Sequence, residues 1–295
     1  MSDGRDGTDS GAIGIIGLGR MGSAMAARLS GQGTRVSGWT RSGIDPRRAG
    51  RLGIAAVADI PSLVAGSDIV ILSLLDDAAV AAVLDALCRC DLSGRLVVET
   101  STVAPDTLRG RTDAIRGAGG AAIDAPVSGG PDLIASGRAG LYIGGDDGDV
   151  ARFMPVARLL ADRIHHVGGL GAGAAAKIVN NMMLAGFWQT LKESLEVGKR
   201  LGLDLATMIE ILCDSPAANA ALRRRAPVVL GESDAVGFSV TGVIKDIALF
   251  VETAEAAGVA APAIAAALDS FAAHRDAGHG DEDLATMVRE AYRSA

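Results

Sequence analysis

Near its amino terminus the chain reads IGIIGLGRMGSAM from Ile13 to Met25. An apolar run leads into three glycines with G-x-G-x-x-G spacing, and an Ala-rich amphipathic stretch follows them. Such a loop between a strand and a helix brings backbone N–H groups close to a pyrophosphate. The stretch therefore predicts a β-α-β unit that binds a dinucleotide. The residues expected to contact it here are Gly17, Leu18, Gly19, Arg20, Met21 and Gly22.

Short β-branched runs alternate with Ala-rich stretches throughout the first half of the chain. This alternation is typical of a parallel sheet whose strands are joined by crossover helices. The predicted strands are Ala12–Gly17, Arg35–Trp39, Asp68–Leu75, Arg95–Thr100, Ala121–Asp124, Gly140–Gly144 and Arg163–Val167. We therefore expect an α/β protein that begins with a doubly wound parallel sheet of the Rossmann type.

The pattern changes after the glycine-rich segment 168–171, and no strand is predicted from there to Ala295. Residues Ala172 to Leu201 lack proline and predict one helix roughly 45 Å long at 1.5 Å per residue. A helix of that length exceeds a small domain, so we expect it to link domains or to build a dimer. The predicted organisation is a disordered tail over 1–11, a dinucleotide-binding domain over 12–167 and an all-α substrate and dimerisation domain over 168–295. The active site is expected in the cleft between the two domains.

Composition narrows the class of protein. The chain has 295 residues, 28 Lys and Arg against 35 Asp and Glu, and 49% hydrophobic residues. This composition is that of a folded chain, and the length suggests two domains. The net charge of −7, with no basic run longer than Arg223–Arg225, argues against nucleic acid as a partner. No stretch suits a membrane span, and residues 1–11 lack the apolar core of a secretory signal, so we expect a cytoplasmic protein.

The metal-binding residue types form no recognisable ligand pattern. The three cysteines are odd in number, as expected for reduced, structural thiols, and they are Cys88, Cys90 and Cys213. None of the histidines has a partner-carboxylate pattern, so we expect structural or solvent-facing roles for His165, His166, His274 and His279. No metal site is predicted.

The end of the second predicted strand bears on the form of the dinucleotide. An NAD site uses an Asp or Glu about 20 residues past the glycines to bind the ribose 2′-hydroxyl. Here the sequence is Thr40-Arg41-Ser42, and no acid follows until Asp45. Arg41 can pair with a 2′-phosphate, and the two hydroxyls can donate hydrogen bonds to it. The pattern favours NADP over NAD, while a solvated Arg41 in a surface loop remains the alternative.

Four further motifs follow in order along the chain. They are ETST (Glu99–Thr102), DAPVSGG (Asp124–Gly130), GxxxKxxNN (Gly173–Asn181) and the pair Lys245-Asp246. Together with the opening GLGxMG, this set resembles the β-hydroxyacid dehydrogenase family, which includes 3-hydroxyisobutyrate dehydrogenase and glyoxylate or succinic semialdehyde reductases. The resemblance extends from Ile13 into the C-terminal region.

The resemblance implies that Lys177 is the catalytic acid and base and that Asn181 orients the reacting oxygen. Reduction of a carbonyl needs a proton donor and the reverse oxidation needs a base. Burial can lower the pKa of a lysine enough for both tasks. Lys177 and Asn181 are four residues apart, so on a helix they share one face. The chain otherwise uses arginine, and two of its four lysines are Lys177 and Lys245.

The remaining roles also come from the resemblance. It implies that the substrate is bound by Ser128, Gly129, Gly130, Thr102 and Lys245. Thr102 would lie at the nicotinamide end and Lys245 near the nicotinamide ribose, while Leu74 and Leu75 would lie beside the adenosine half. Each position also has a purely structural interpretation: a turn for 128–130, polar helix positions for Asn180 and Asn181, and a surface charge for Lys245.

The expected activity is hydride transfer between NADP and a small 3-hydroxy acid or its semialdehyde, by a homodimer or larger homo-oligomer. Thr40 departs from the Asn common in NADP-dependent relatives. Asn180 stands where phosphogluconate dehydrogenases have His, which argues against a sugar phosphate. Imine reductases usually replace the lysine at position 177. A reductase of imines or bulkier carbonyls and a non-catalytic NADP-binding interaction module remain the alternatives.

Overall fold

A computed structural model of the protein describes residues 11–295, so the predicted tail lies outside it except for Gly11. Packing divides the described chain into two compact units, which meet in the sequence between Ile178 and Val179. The predicted boundary at residue 168 lies slightly earlier. The first part of the long helix, including Lys177, therefore belongs to the first unit.

The first unit contains a nine-stranded sheet and the helices that cover it. Its strands are β1 (Ile13–Ile16), β2 (Val36–Trp39), β3 (Ala55–Ala56), β4 (Ile69–Leu72), β5 (Leu96–Glu99), β6 (Ala121–Asp124), β7 (Val127–Ser128), β8 (Ala139–Gly144) and β9 (Ala161–Gly168). Its helices are α1 (Arg20–Gly31), α2 (Pro46–Leu52), α3 (Ile60–Ala65), α4 (Asp77–Leu87), α5 (Pro105–Arg109), α6 (Thr112–Gly117), α7 (Pro131–Ala135) and α8 (Asp147–Leu160), and α9 (Ala172–Arg200) begins in it.

The sheet has the order β3-β2-β1-β4-β5-β6-β8, and β7 and β9 also pair with β8. From β3 to β6 all neighbours are parallel, which is the Rossmann order and confirms the predicted fold. All seven predicted strands are present. Two further strands, β3 and β7, were not predicted, because they have two residues each and are too short to produce a periodic pattern.

The sheet departs from the expected parallel arrangement at β8, which is antiparallel to β6 and β7. Pro126 lies between β6 and β7, and because it has no N–H it cannot donate a hydrogen bond to a neighbouring strand there. Only the five-residue α7 and its flanking turns separate β7 from β8. A parallel return needs a crossover of about a dozen residues or more, so this short connection runs antiparallel. The longer α8 then allows β9 to pair in parallel with β8.

Both faces of the sheet are buried, as a doubly wound sheet requires. All residues of β1, β4 and β5 are buried, and their side chains alternate between two hydrophobic clusters. One cluster includes Ile13 and Ile15 with residues of α1 and α8, and the other includes Ile16 with residues of α3 and α4. Each such side chain contributes about 1.5–3 kcal/mol on burial. This packing holds the carboxyl ends of the strands rigidly in place.

The second unit is helical, as predicted, and in the described chain no named strand follows β9. It contains the rest of α9, then α10 (Leu205–Asp214), α11 (Ala220–Leu230), α12 (Val240–Ala256), α13 (Pro262–His274), a π-helical turn (Arg275–His279) and α14 (Thr286–Ser294). The predicted helix over 172–201 is confirmed by α9. No helix among the described residues has the length and apolar character needed to span a membrane.

A buried carboxylate organises part of the second unit. Asp283 accepts hydrogen bonds from the backbone N–H groups of Gly237, Phe238 and Ala285. It also forms an ion pair of 3.0 Å with Arg225. Since a buried charge is costly unless paired and hydrogen-bonded, this set of partners accounts for an Asp at that position. The side chain thereby connects α11 with the segments before α12 and α14.

Candidate active site

The loop between β1 and α1 has the shape predicted for a dinucleotide site. Gly17 has φ +93°, and a Cβ there would lie 2.3 Å from the carbonyl oxygen of Ser73. A Cβ on Gly22 would lie 2.0 Å from the carbonyl oxygen of Gly17. A Cβ on Gly19 would meet no atom within 4 Å, and Gly19 is the N-cap of α1 without a side-chain cap. The open approach to this helix end fits a bound pyrophosphate.

Arg48 supports this loop, a role that was not predicted from the sequence. Its guanidinium donates to the carbonyl oxygen of Leu18 and, at 3.1 Å, to the hydroxyl of Ser23. Ser23 in turn donates to Leu18 at 2.9 Å. Arg48 lies on α2, 30 residues from Leu18 in sequence, so no local pattern signals the contact. The guanidinium therefore links α2 to the glycine loop.

The three residues after β2 form an exposed turn. The Thr40 hydroxyl donates to the carbonyl oxygen of Gly43 at 2.6 Å, so its proton is already used within the turn. Arg41 and Ser42 are exposed. Among the described residues Arg41 has no ion-pair partner. Its charge is available to a ligand.

The loops after β4 and β5 are joined to each other. The backbone N–H of Leu74 donates to the Ser101 hydroxyl at 2.9 Å. Leu74 also lies against Gly17, since a Cβ on that glycine would be 2.8 Å from Leu74 Cδ2. Leu75 is 70% exposed, and Thr102 is half-buried. These side chains therefore lie at the carboxyl edge of the sheet, where ligands bind in this fold.

Asp124 positions the start of α9. Its two carboxylate oxygens accept from the backbone N–H groups of Gly171 and Ala174, each at 2.6 Å. A Cβ on Gly173 would lie 2.3 Å from the carbonyl oxygen of Tyr142, so only glycine allows the helix to approach β8 this closely. Asp124 belongs to the DAPVSGG motif, but this role was not predicted from the sequence. Its partners are 47 and 50 residues away in sequence.

Lys177 is 8% exposed and lies on α9, three residues after Ala174. Its amine donates to the carbonyl oxygen of Val127 at 2.7 Å. The next residues are Ser128, Gly129 and Gly130, and Gly129 has φ +129°. Lys177, the predicted acid and base, therefore lies next to residues 128–130, which were predicted to bind the substrate carboxylate.

Asn181 and Lys245 belong to the second unit. The Asn180 amide donates to the Asn181 side-chain oxygen at 3.0 Å. Lys245 lies on α12 and pairs with the buried Asp246 at 2.7 Å. Trp188 is 3% exposed in the single chain, so it is not available to a second copy.

Structural or solvent-facing roles were expected for the cysteines and histidines. The three cysteines are free thiols, as expected. The expectation that no histidine has a carboxylate partner is wrong. His279 Nδ1 lies 2.9 Å from Glu282 Oε1, and His166 Nδ1 lies 3.5 Å from Asp147 Oδ1.

One group of potential metal ligands occurs among the described residues, formed by His274, His279 and Glu282. The two imidazole rings stack with centroids 4.4 Å apart and planes 11° apart. Lone pairs in parallel planes do not converge on one ion. Burial, and next the charge of His279, lower the pKa of His274 to about 4, so this ring is neutral at pH 7. The absence of a metal requirement stays a prediction.

Comparison with known proteins assigns the two halves of the chain to two family models. Residues 12–168 match the family described as the NAD binding domain of 6-phosphogluconate dehydrogenase. Residues 171–291 match the family described as NAD-binding of NADP-dependent 3-hydroxyisobutyrate dehydrogenase. The described site and both matches indicate NAD(P) as the cofactor class.

Two curated relatives cover nearly the whole chain. The 3-hydroxyisobutyrate dehydrogenase of Pseudomonas aeruginosa is 33% identical over 307 residues, covering 95% of this chain and 98% of that protein. The 2-(hydroxymethyl)glutarate dehydrogenase of Eubacterium barkeri is 30% identical over 282 residues, covering 94% and 93%. Both relatives are dehydrogenases of hydroxy acids by name.

Solved structures agree with this relationship. The 3-hydroxyisobutyrate dehydrogenase of Mycobacterium tuberculosis with L-serine superposes with a TM-score of 0.84 at 29% identity, covering 95% of this chain and 98% of that one. An imine reductase from a Pseudomonas species, with a TM-score of 0.61 at 20% identity and coverage of 95% and 99%, shares the fold. The protein is therefore an oxidoreductase that acts on CH–OH groups, and it belongs to the β-hydroxyacid dehydrogenase family.

Proposed function

We propose that this protein transfers a hydride between NADP and a small 3-hydroxy acid or its semialdehyde. The observation that carries the proposal is the 2.7 Å hydrogen bond from the Lys177 amine to the carbonyl oxygen of Val127. It holds a buried amine directly beside Ser128, Gly129 and Gly130. Reduction of a semialdehyde that carries a carboxylate needs a proton donor near the group that binds this carboxylate. Lys177 and the segment 128–130 would provide these two functions.

The cofactor would be held by the first unit. Gly17, Gly19 and Gly22 leave room for the pyrophosphate at the N-terminus of α1. Leu74 and Leu75 would contact the adenosine half, and Thr102 the nicotinamide end. When bound, NADPH supplies the hydride and NADP⁺ accepts it.

Lys177 would move the proton. In reduction its ammonium donates to the oxygen of the substrate carbonyl, and in oxidation its neutral amine accepts the hydroxyl proton. Ser128 and the backbone of Gly129 and Gly130 would bind the substrate carboxylate. Asn181 would orient the reacting oxygen, and Lys245 would act near the nicotinamide ribose and the substrate.

Arg41 supports NADP over NAD. The first acid after β2 is Asp45, which caps α2 by accepting the Arg48 N–H at 3.0 Å. A carboxylate used in this way is not the ribose-binding acid of an NAD site. The exposed guanidinium of Arg41 would instead pair with the 2′-phosphate, as Arg does with phosphates generally.

The test is steady-state reduction of succinic semialdehyde and of glyoxylate with NADPH and, separately, NADH. We expect a catalytic efficiency at least tenfold higher with NADPH. Lys177→Ala should lower kcat by about 10²–10⁴, the usual contribution of general acid–base catalysis. Lys192→Ala is the control, because Lys192 is on the same helix and pairs with Glu196 at 3.1 Å.

Other outcomes would contradict specific parts of the proposal. A preference for NADH would contradict the assignment of Arg41. If the protein reduced a cyclic imine but neither aldehyde, the family fold would stand, and the proposed substrate class would be wrong. Full activity of Lys177→Ala would show that Lys177 is not the acid and base. If the wild type were inactive towards all these substrates, a non-catalytic NADP-binding role would be favoured.

We also propose that the protein is a homodimer in the cytoplasm. Exposed apolar residues recur along α9 in the second unit, namely Val179, Met183 and Val197, and the exposed Leu201 directly follows the helix. Exposed apolar side chains that recur along one long helix are typical of subunit interfaces. Free thiols are typical of a reducing compartment. Light scattering after gel filtration should give twice the chain mass of 29.8 kDa, and a monomer would contradict the assembly.

A further inference from the structure

Two carboxyl groups occupy the ends of neighbouring strands in the first unit. Glu99 ends β5, Asp124 ends β6, and the two are partners in the parallel ladder. They are 1% and 2% exposed. Two buried negative charges on adjacent strand ends would repel each other in a medium of low dielectric constant, so the pair favours a single charge.

Glu99 is the member of the pair that carries the proton. Its Oε1 accepts the Ser101 N–H at 2.8 Å. Its Oε2 is buried and has no hydrogen-bond partner among the described residues. An ionised oxygen without a partner is costly to bury, whereas the neutral acid is much less so. Burial first, and then the charges of Asp124 and Asp77, raise the pKa of Glu99 to about 7.

Asp124 carries the charge. Both of its oxygens accept backbone N–H groups, from Gly171 and Ala174. Burial raises the pKa of Asp124, and these two hydrogen bonds and the charge of Arg109 oppose the rise. Arg109 itself donates to the carbonyl oxygen of Leu170 at 2.7 Å. The start of α9 is therefore held from β6 and from α5.

We propose that Glu99 is a positioning residue: as the neutral member of this pair, it leaves one negative charge on Asp124, which holds the start of α9 and so the position of Lys177. The link to Lys177 chemistry rests on the proposed function. The effect on the start of α9 does not.

Ionisation of Glu99 would weaken this anchor. The charged groups that act on Glu99 are Asp124 from β6 and Asp77 from α4. Asp77 is held by the Ala104 N–H at 2.8 Å and by the Thr107 hydroxyl. As the pH rises through 7, a second negative charge develops beside Asp124. Asp124 is repelled, and its hydrogen bonds to Gly171 and Ala174 lengthen.

The test is NMR amide hydrogen exchange of the full chain without substrate or cofactor, at pH 6 and pH 8. After correction for intrinsic exchange, we expect protection of the Gly171 and Ala174 amides to fall at least fivefold in the wild type. Glu99→Gln, which is neutral at both pH values, should keep the protection seen at pH 6. Glu210→Gln, on the exposed side of α10, is the control and should follow the wild type.

The proposal would be overturned if the protection of these two amides changed equally with pH in Glu99→Gln and in the wild type. It would also be overturned if their protection in the wild type were the same at pH 6 and pH 8. A second measurement needs no variant: carbon-13 NMR should detect one Glu carboxyl that titrates near pH 7. Titration of every Glu carboxyl below pH 5.5 would equally overturn it.

Kinetics separate the positioning role from the proposed function. The wild type should lose kcat between pH 7 and pH 8.5 with little change in the KM for NADPH, and Glu99→Gln should lose less. If Lys177→Ala is fully active while the exchange result holds, the proposed function fails and the effect of Glu99 on α9 stands.

Discussion

Three glycines of the β1–α1 loop occupy their positions for different physical reasons. Gly17 has a positive φ, Gly22 allows close contact between backbone segments, and Gly19 leaves space open beside the start of α1. The spacing of the three was readable from sequence because it is local. Their division of roles became visible only when the surrounding atoms were known.

Gly22→Ala should destabilise the first unit. Its Cβ would lie 2.0 Å from the backbone oxygen of Gly17, which cannot move without shifting the loop. Overpacking of this kind costs about 1–3 kcal/mol. The measurement is the free energy of unfolding in urea. Gly31→Ala, at the end of the same helix with no atom within 4 Å, should be neutral or stabilising, and equal losses in both variants would contradict the packing argument.

Glu99 should make stability depend on pH. Its pKa is raised by burial from 4.5 to about 7 in the folded state. The stability that it contributes as a neutral acid is complete below pH 4.5 and is lost as the pH rises through 7. A shift of this size corresponds to about 3 kcal/mol.

Urea denaturation at pH 5 and pH 8 checks this expectation. The wild type should lose about 3 kcal/mol more than Glu99→Gln between these two pH values. Other titrating groups are common to both proteins and cancel in the comparison. The same loss in the two proteins would show that Glu99 is ionised at both pH values in the folded state.

Among the secondary-structure elements, α9 depends most on residues outside itself. It begins without an acidic residue in its first turn, and Asp124 from β6 supplies the carboxylate that its N-terminal amides need. Helix length and period predicted α9 correctly. They could not predict the cap, because the capping residue lies in a strand rather than next to the helix.

Asp124→Asn should therefore loosen α9 while keeping the side-chain shape. One oxygen is replaced by an amide that cannot accept a hydrogen bond, and the charge is lost. Hydrogen bonds to charged groups contribute about 1.5–3 kcal/mol each, so we expect a loss of about 3 kcal/mol in unfolding free energy. Asp214→Asn, at the exposed end of α10, should have no measurable effect. Unchanged stability of Asp124→Asn would contradict the proposed anchor.

At the scale of the whole molecule, the two units differ in secondary structure and in the groups that they bury. The first is a sheet buried on both faces, and the second is helical, with an ion pair between the half-buried Arg225 and the buried Asp283. The glycine loop and Arg41 both belong to the first unit. Cofactor binding should therefore be measurable as added stability of this unit.

NADPH at a hundredfold excess over its Kd should stabilise the protein by about 2.7 kcal/mol. In Arg41→Ala the Kd for NADPH should rise about tenfold or more, because a charge-assisted contact with phosphate is lost. The Kd for NADH should stay the same. Thermal unfolding over a range of cofactor concentrations provides these values. Arg51→Ala, exposed on α2, is the control, and equal loss for NADPH and NADH would contradict the assignment of Arg41 to the 2′-phosphate.

The strand and helix pattern of both units, the dinucleotide loop and the family motifs could all be predicted from the chain alone, because periodicity and spacing are properties of neighbouring residues. Tertiary structure alone decided the antiparallel direction of β8, the contact of Arg48 with the glycine loop and the register that pairs Glu99 with Asp124. It also decided the contact between Lys177 and Val127, which are 50 residues apart. Burial and charge at such contacts depend on distant segments meeting, which no local pattern encodes.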